Sequence, residues 1–157
     1  MWQGKLLHID KTPAAGQPMM AQQSAQLVQG VGVEGDRYAL GTGKYSAIPD
    51  IREVTLIEIE TIIALKRDHD IDLTPDEHRR NLTTENAPLN HLVGQRFWVG
   101  QVLLEGGRLN TPCRYLDLIT KKSVYDILLH RSGLNCAIIQ GGQINVGDSI
   151  RLDQANA

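Results

Sequence analysis

The sequence predicts a mainly β protein, in which a small barrel is covered by a few helices. Fifteen of the 157 residues are glycine, and many of them stand at the ends of short apolar runs, as the turns between short strands require. From Gly94 onward these runs follow one another closely, a density that is typical of a barrel. The length suits one domain with its own core, and neither an internal repeat nor a linker divides residues 1–157.

Strands and loops alternate in the first third of the chain. Residues 3–10 alternate loosely between apolar and polar side chains, which predicts a first strand. Residues 11–26 are rich in Pro, Gln, Ala and Met, and we expect a loop or an irregular crossover there. A short strand broken by glycines is predicted over residues 26–33, and glycines and prolines predict a loop over residues 39–50.

Three helices are expected. Residues 55–58 (TLIE) have the order of a capping box, in which the threonine and the glutamate each bind the other's backbone amide. Residues 74–77 (TPDE) repeat this order with a proline at the first helical position, and we expect a short helix after them. Residues 122–129 space their apolar side chains as a helix does, and Gly133 is placed to end that segment.

Strands are predicted again over the last third of the chain. Residues 95–99 and 101–105 are two apolar runs separated by a glycine, and residues 135–139 have the composition of a buried strand. Two further short strands are expected within residues 141–152, around a Gly-Asp turn in which Asp148 has a structural role.

Composition and charge exclude several classes of function. The net charge of −2 provides no general attraction to nucleic acid, and no run of about 18 apolar residues could span a membrane. The N-terminus lacks the order of a signal peptide. Two cysteines give no disulfide framework. These features together predict a cytoplasmic protein with neither a nucleic-acid nor a membrane partner.

Cys113 has the local setting of a reactive cysteine. A strand-like run ends in a double glycine a few residues earlier, Pro112 directly precedes the thiol, and Arg108 and Arg114 flank it. Guanidinium groups near a thiol favour the thiolate, which is the form that attacks electrophiles and binds metals. The alternative is a small buried side chain without chemistry. We expect Cys136, inside an apolar run, to be a cysteine of that second kind.

Two arginines and an asparagine are candidates for binding an anion. Arg80 and Asn81 could supply a guanidinium fork and an amide, although a solvated pair at a helix end is the alternative. Arg79 is expected to face solvent. Arg37 could equally make a salt bridge or contact an anion, whereas Asp36 is expected to hold a glycine turn in place.

Six short motifs follow one another along the chain: VEGDR at 33–37, RRNL at 79–82, LVG at 92–94, TPCRY at 111–115, HRSGL at 130–134 and GQINVGD at 142–148. Their order resembles that of MOSC domains, which are similar to the C-terminal part of molybdenum cofactor sulfurases. The resemblance covers residues 4–152. It implies a β-barrel related in shape to the small barrel domain of pyruvate kinases.

The resemblance also implies a function for Cys113. The matching cysteine of MOSC domains is thought to carry sulfur as a persulfide or to bind the molybdenum of the cofactor, and both roles need the same thiolate. An enzyme of this kind would be a sulfur transferase or a molybdenum-dependent reductase of N-hydroxylated compounds. A non-catalytic module that binds or delivers the cofactor for a molybdoenzyme is the alternative.

The residues and partners implied by the resemblance complete the expected site. The anionic cofactor would be held by basic residues, an asparagine and a glycine that serves backbone geometry: Arg80, Arg131, Arg37, Arg114, Asn81 and Gly133. The implied partners are the molybdenum cofactor itself or a small sulfur donor, and a molybdoenzyme or a cysteine desulfurase. Full-length sulfurases use pyridoxal phosphate in a separate domain, and we do not predict it here because no lysine has a Schiff-base context.

Overall fold

The computed structural model describes residues 1–156 and contains eleven strands in that part of the chain. The strands are β1 (Gly4–Lys11), β2 (Met20–Gln22), β3 (Ser24–Val28), β4 (Gly32–Val33), β5 (Val54–Glu58), β6 (Leu82–Glu85), β7 (Arg96–Val99), β8 (Val102–Leu109), β9 (Leu134–Gln140), β10 (Gly142–Asn145) and β11 (Ser149–Leu152). The α-helices are α1 (Arg37–Leu40), α2 (Ile59–His69), α3 (Pro75–His78) and α4 (Arg114–Thr120). Short 3₁₀ turns lie at Leu89–Leu92, Asp126–Leu128 and Gln154–Asn156.

Seven strands close into a barrel. Their order around it is β11, β7, β8, β9, β5, β6 and β1, and the barrel closes where β1 pairs with β11. The pair of β5 and β6 is parallel, and β2 extends the sheet from β1. A second sheet has the order β10, β3, β4. This arrangement confirms the prediction of a mainly β barrel with few helices.

The barrel encloses the main core. Side chains that alternate along its strands point inward and are fully buried, among them Leu6, Leu56, Phe97, Leu104 and Ile150. A smaller core packs α2 and α4 together outside the barrel. It consists of Leu65, Leu73, Leu116, Val124 and Leu128, with three isoleucines against it. This second core fixes the position of α4.

One of the two predicted capping boxes forms and the other does not. The box at Thr74 is present, with the Glu77 side chain bound to the Thr74 amide, and it starts α3. Thr55 instead lies in β5, and α2 begins only at Ile59. The Thr55 hydroxyl is 3.2 Å from Asn81 Oδ1, and its strand pairs on both sides with β6 and β9. Pairing of a strand that is buried over four of its five residues outweighs the local capping pattern.

Two other predicted elements are wrong in part. Residues 122–129 contain only a 3₁₀ turn, because the amides of Val124 and Tyr125 donate to Asp117 Oδ1 instead of starting a longer helix. Residues 11–26, expected as a loop, contain β2 and the start of β3. None of the helices among residues 1–156 has both the length and the apolar character needed to span a lipid bilayer.

Candidate functional site

A cavity of about 350 Å³ opens where β5, β8 and β9 meet the loop before β5 and the start of α4. Six cationic side chains and one carboxylate line it: Arg37, Lys44, Arg52, Arg79, Arg80, Arg108 and Asp50. Three of the four tyrosines of the protein, Tyr38, Tyr45 and Tyr115, also face it. The cavity is therefore cationic and partly aromatic.

Cys113 lines this cavity, immediately before the first residue of α4. Leu116 anchors α4 in the second core, which holds the cysteine in place. The Tyr45 hydroxyl donates a hydrogen bond of 3.2 Å to the Cys113 sulfur. This bond raises the pKa of Tyr45 to about 12, so Tyr45 stays protonated and remains a donor at neutral pH.

Cys136, unlike Cys113, is fully buried and does not line the cavity. It lies in β9 with none of its surface exposed, and burial raises the pKa of its thiol. A thiol in such surroundings neither ionises nor meets a reagent at neutral pH. The expectation that Cys136 is an inert core side chain is confirmed.

Neither arginine that flanks Cys113 in the sequence binds its sulfur. Arg108 instead pairs with Asp50 through two hydrogen bonds, one of which joins Nε to Oδ1 at 2.9 Å. This guanidinium holds the pKa of Asp50 below its usual range. Arg114 points away from the cavity, is 73% exposed, and lies over the Tyr125 ring at 4.5 Å. Arg114 is thus not brought to the site.

Arg80 lies at the cavity wall and is held there by neutral partners. Its guanidinium donates to the Ser132 carbonyl at 2.9 Å, to the Ser132 hydroxyl at 2.7 Å and to Asn110 Oδ1 at 2.8 Å. Within residues 1–156, no carboxylate lies within ion-pair distance of Arg80. Burial lowers its pKa to about 10, which still leaves it cationic at neutral pH.

His78 fixes the backbone that carries Arg80. Its Nδ1 accepts the Arg80 amide at 2.9 Å, and its Nε2 lies 3.1 Å from the Thr83 hydroxyl. An accepting Nδ1 assigns the ring proton to Nε2. His78 is 1% exposed, and burial lowers its pKa to about 3, so the ring is neutral.

The expectation that Arg79 faces solvent is wrong. Only 8% of the residue is exposed, and it lines the cavity at the end of α3, where its φ of 63° turns the chain. Its Nη1 donates to the Gln17 carbonyl at 2.8 Å, while its Nη2 is buried without a partner. Arg79 therefore brings an unsatisfied donor close to the cavity that the residue lines.

Arg37 both makes a salt bridge and lines the cavity. Its Nη1 is 3.1 Å from Asp36 Oδ1, and its Nη2 donates to the Arg79 carbonyl at 3.0 Å. Asp36 also accepts from the amides of Thr12 and Tyr38, and it caps α1. The structural role expected for Asp36 is confirmed.

Three other predicted site residues do not reach the cavity. Asn81 is buried and uses its side chain within the fold, since Oδ1 accepts from Thr55 and Nδ2 donates to the Asp10 carbonyl. Arg131 donates to the Ile127 carbonyl and lies outside the cavity. Gly133 has a φ of 112°, and a Cβ there would overlap the carbonyl oxygen of Leu56. Gly133 therefore serves backbone geometry.

Sequence reasoning missed the wall opposite Cys113. Residues 39–50 were predicted only as a loop, yet Lys44, Tyr45 and Asp50 within it, and Arg52 just after it, all line the cavity. The sequence did contain a signal for this wall. The loop carries a lysine and a tyrosine, and an arginine follows it. These are side chains that bind ligands and that a loop does not need merely to connect two elements of the fold.

Comparison with known proteins identifies the fold and the family. The YUAD protein from Bacillus subtilis superposes with a TM-score of 0.80 at 16% identity, over 97% of this chain and 98% of that one. The YiiM proteins from Geobacillus stearothermophilus and Escherichia coli give TM-scores of 0.70 and 0.68 at 12% and 18% identity. In both cases 96% of this chain is covered, with 75% and 70% of the YiiM chains.

The sequence comparisons differ in outcome. A search of curated protein sequences gives no significant match. The family model of the MOSC domain, however, matches residues 44–151, which is more than half of the chain and includes Cys113. This match agrees with the six ordered motifs and with the barrel. The chain belongs to the MOSC domain family.

Proposed function

We propose that this protein binds the molybdenum cofactor in the cavity, with the Cys113 sulfur as the protein's ligand to molybdenum. Membership of the MOSC family supports a domain like that of the cofactor sulfurases. The proposal that Cys113 binds the metal rests on the position of its sulfur at a cavity lined by six cations and one carboxylate. A thiolate is a suitable soft ligand for such a metal.

The anionic end of the cofactor fits the arginines of this cavity. Arg79 offers a buried Nη2 that no group of the described chain accepts from, and Arg80 is a cation without a carboxylate. Arg37 lies beside them, bound to the Arg79 carbonyl. Guanidinium groups bind phosphate oxygens in the same way that they bind carboxylates, with two parallel hydrogen bonds.

The size of the cavity favours cofactor binding over sulfur carriage alone. A persulfide on Cys113 would need access for a donor and an acceptor, but it would not need a cationic chamber of about 350 Å³. When bound, the cofactor would supply a redox-active metal. The residues of this chain would bind the anionic groups of the cofactor, orient the cofactor and provide one sulfur ligand.

The test is elemental analysis with native mass spectrometry on protein purified without reductant from cells that make the cofactor. We expect molybdenum and a pterin mass on the wild type and on Cys136→Ala, and their loss from Cys113→Ala. Arg79→Gln should retain less cofactor, whereas Arg131→Gln, outside the cavity, should retain as much as the wild type.

Two other results would lead to different functions. One extra sulfur atom on Cys113 without metal would replace the ligand proposal by that of a persulfide carrier, served by a sulfur donor such as a cysteine desulfurase. If the wild type carries neither metal nor sulfur, the proposal fails. A module that serves a molybdoenzyme without chemistry of its own then becomes the better account.

A further inference from the structure

Residues 43–52, which we name the strap, form one wall of the cavity and are weakly attached to the fold. The strap contains neither helix nor strand, and none of its side chains is fully buried. Its two large apolar side chains, Ile48 and Ile51, are 58% and 42% exposed. Segments with few buried apolar contacts open at a small fraction of the free energy of global unfolding.

The strap keeps its own shape through Arg52. The Nη1 of Arg52 donates to the carbonyl of Tyr45 at 2.6 Å and to that of Ile48 at 2.9 Å. The amide of Ile48 also donates to the Tyr45 carbonyl, at 3.0 Å. These bonds lie within the segment, so they stay intact when it moves. The strap can therefore swing as one piece.

An ion pair attaches the strap to the barrel. Arg108, near the end of β8, grips Asp50 with both Nε and Nη2, and no other charged pair joins the strap to the rest of the described chain. The side chains of Arg108 and Asp50 are 40% and 24% exposed, so water and salt reach the pair. The two parallel hydrogen bonds make this a strong geometry for an ion pair, but because solvent reaches the pair, salt still screens it.

Other contacts also attach the strap: the Arg52 guanidinium lies 5.2 Å from the centre of the Tyr38 ring, and Ile51 lies against Gly107. Tyr45 places its hydroxyl on the Cys113 sulfur, and Lys44 lies 5.0 Å from the centre of the Tyr115 ring. Displacement of the strap would remove the hydroxyl from the sulfur and widen the cavity on the same side.

We propose that the strap is a gate over Cys113, and that the Asp50–Arg108 ion pair is its latch. With the latch closed, the sulfur is open to small molecules that enter the cavity and is shielded by Tyr45 from bulky ones. With the latch broken, a ligand as large as the cavity reaches the sulfur. The gate goes beyond cofactor binding, because any large ligand of Cys113 would have to pass it.

The test compares the labelling rates of Cys113 by a small and a bulky thiol reagent at one pH. Iodoacetamide is the small reagent, and a maleimide on a polyethylene glycol chain is the bulky one. Both react with the same thiolate, so the ratio of their rates does not depend on how much of the thiol is ionised. Cys113→Ala gives the background from Cys136.

Arg108→Gln breaks the latch, and Arg96→Gln is its matched control. Arg96 also pairs with a carboxylate at 2.9 Å, that of Glu105, and its side chain is 39% exposed, but it lies outside the cavity. We expect Arg108→Gln to raise the bulky-to-small rate ratio by about two- to fivefold, the range that an exposed ion pair controls. Arg96→Gln should leave the ratio unchanged.

The effect of salt on the rate ratio provides a second measurement. Raising the ionic strength should increase the ratio in the wild type and have little effect in Arg108→Gln, because the pair that salt screens is already absent there. An unchanged ratio in both experiments, or an equal rise in Arg96→Gln, would overturn the gate. Absence of molybdenum from the purified protein would not affect this result, so the two proposals fail separately.

Discussion

Replacing His78 should change how the stability of the protein depends on pH. The ring is 1% exposed, with Nδ1 accepting from the Arg80 amide and Nε2 beside the Thr83 hydroxyl. Burial lowers its pKa from 6.5 to about 3. The folded protein therefore binds the proton more weakly than the unfolded chain does. The stability that depends on a neutral ring is complete above pH 6.5 and is lost as the pH falls from 6.5 towards 3.

The magnitude follows from these two values. At pH 8 both states hold a neutral ring, and at pH 5 nearly all unfolded chains but few folded ones are protonated at His78. Proton linkage then gives a loss of about 2 kcal/mol in the free energy of unfolding between pH 8 and pH 5. This loss hardly changes if the folded pKa is a unit higher, because pH 5 stays above it.

The assay is urea denaturation at pH 8 and pH 5, followed by the fluorescence of the two tryptophans. His78→Asn keeps an acceptor for the Arg80 amide and cannot be protonated. We expect the wild type to lose about 2 kcal/mol more than His78→Asn between the two pH values. His69→Asn, at an exposed histidine, should match the wild type. Equal losses in the wild type and His78→Asn would refute the burial argument.

Three further substitutions have outcomes set by the structure. In chemical denaturation, Gly133→Ala should lower the free energy of unfolding by roughly 2 kcal/mol more than Gly147→Ala does. Both glycines have a positive φ, but only at Gly133 would a Cβ lie against a backbone carbonyl. Equal losses of stability in the two variants would contradict this. Thr74→Ala should lower the free energy of unfolding by about 1 kcal/mol, because it removes a complete capping box. An unchanged stability would show that the capping box does not stabilise the fold. Cys113→Ala should abolish labelling of the folded protein by iodoacetamide, because Cys136 is fully buried. Labelling should return in denaturant, which exposes Cys136. Labelling of the folded variant would instead show that the core opens.

Short sequence patterns predicted local structure correctly where the pairing of strands did not oppose them. The capping sequence at residues 74–77 forms as predicted, and Lys122 binds the Glu77 carboxylate without displacing it from the Thr74 amide. The same pattern at residues 55–58 fails because that segment lies between β6 and β9, and those partners come from distant parts of the chain. A pattern within four residues carries no information on such pairings.

The candidate site was predictable through its cysteine and less so through its charges. Cys113 was found from its neighbours in the sequence, yet neither arginine beside it contacts the sulfur. Its polar contact comes from Tyr45, 68 residues earlier. Arg79 was misplaced because its burial depends on a carbonyl 62 residues away. Contacts between residues so far apart in the sequence depend on how the strands pair when the barrel closes. The sequence predicts that a barrel forms, but not which residues its closure brings together.

Closure of the barrel by its first and last strands has a consequence for biosynthesis. β1 pairs with β11 through Gly4 and Ile150, so the barrel cannot close until residues 149–152 have left the ribosome. Until then β1 and β7 each lack a neighbour, and unpaired strand edges promote association with other chains. Contacts between residues so far apart in sequence also slow folding. Stalled translation or truncation before β11 should therefore release a chain that already contains Cys113 and most of the cavity wall, but that aggregates instead of forming the site.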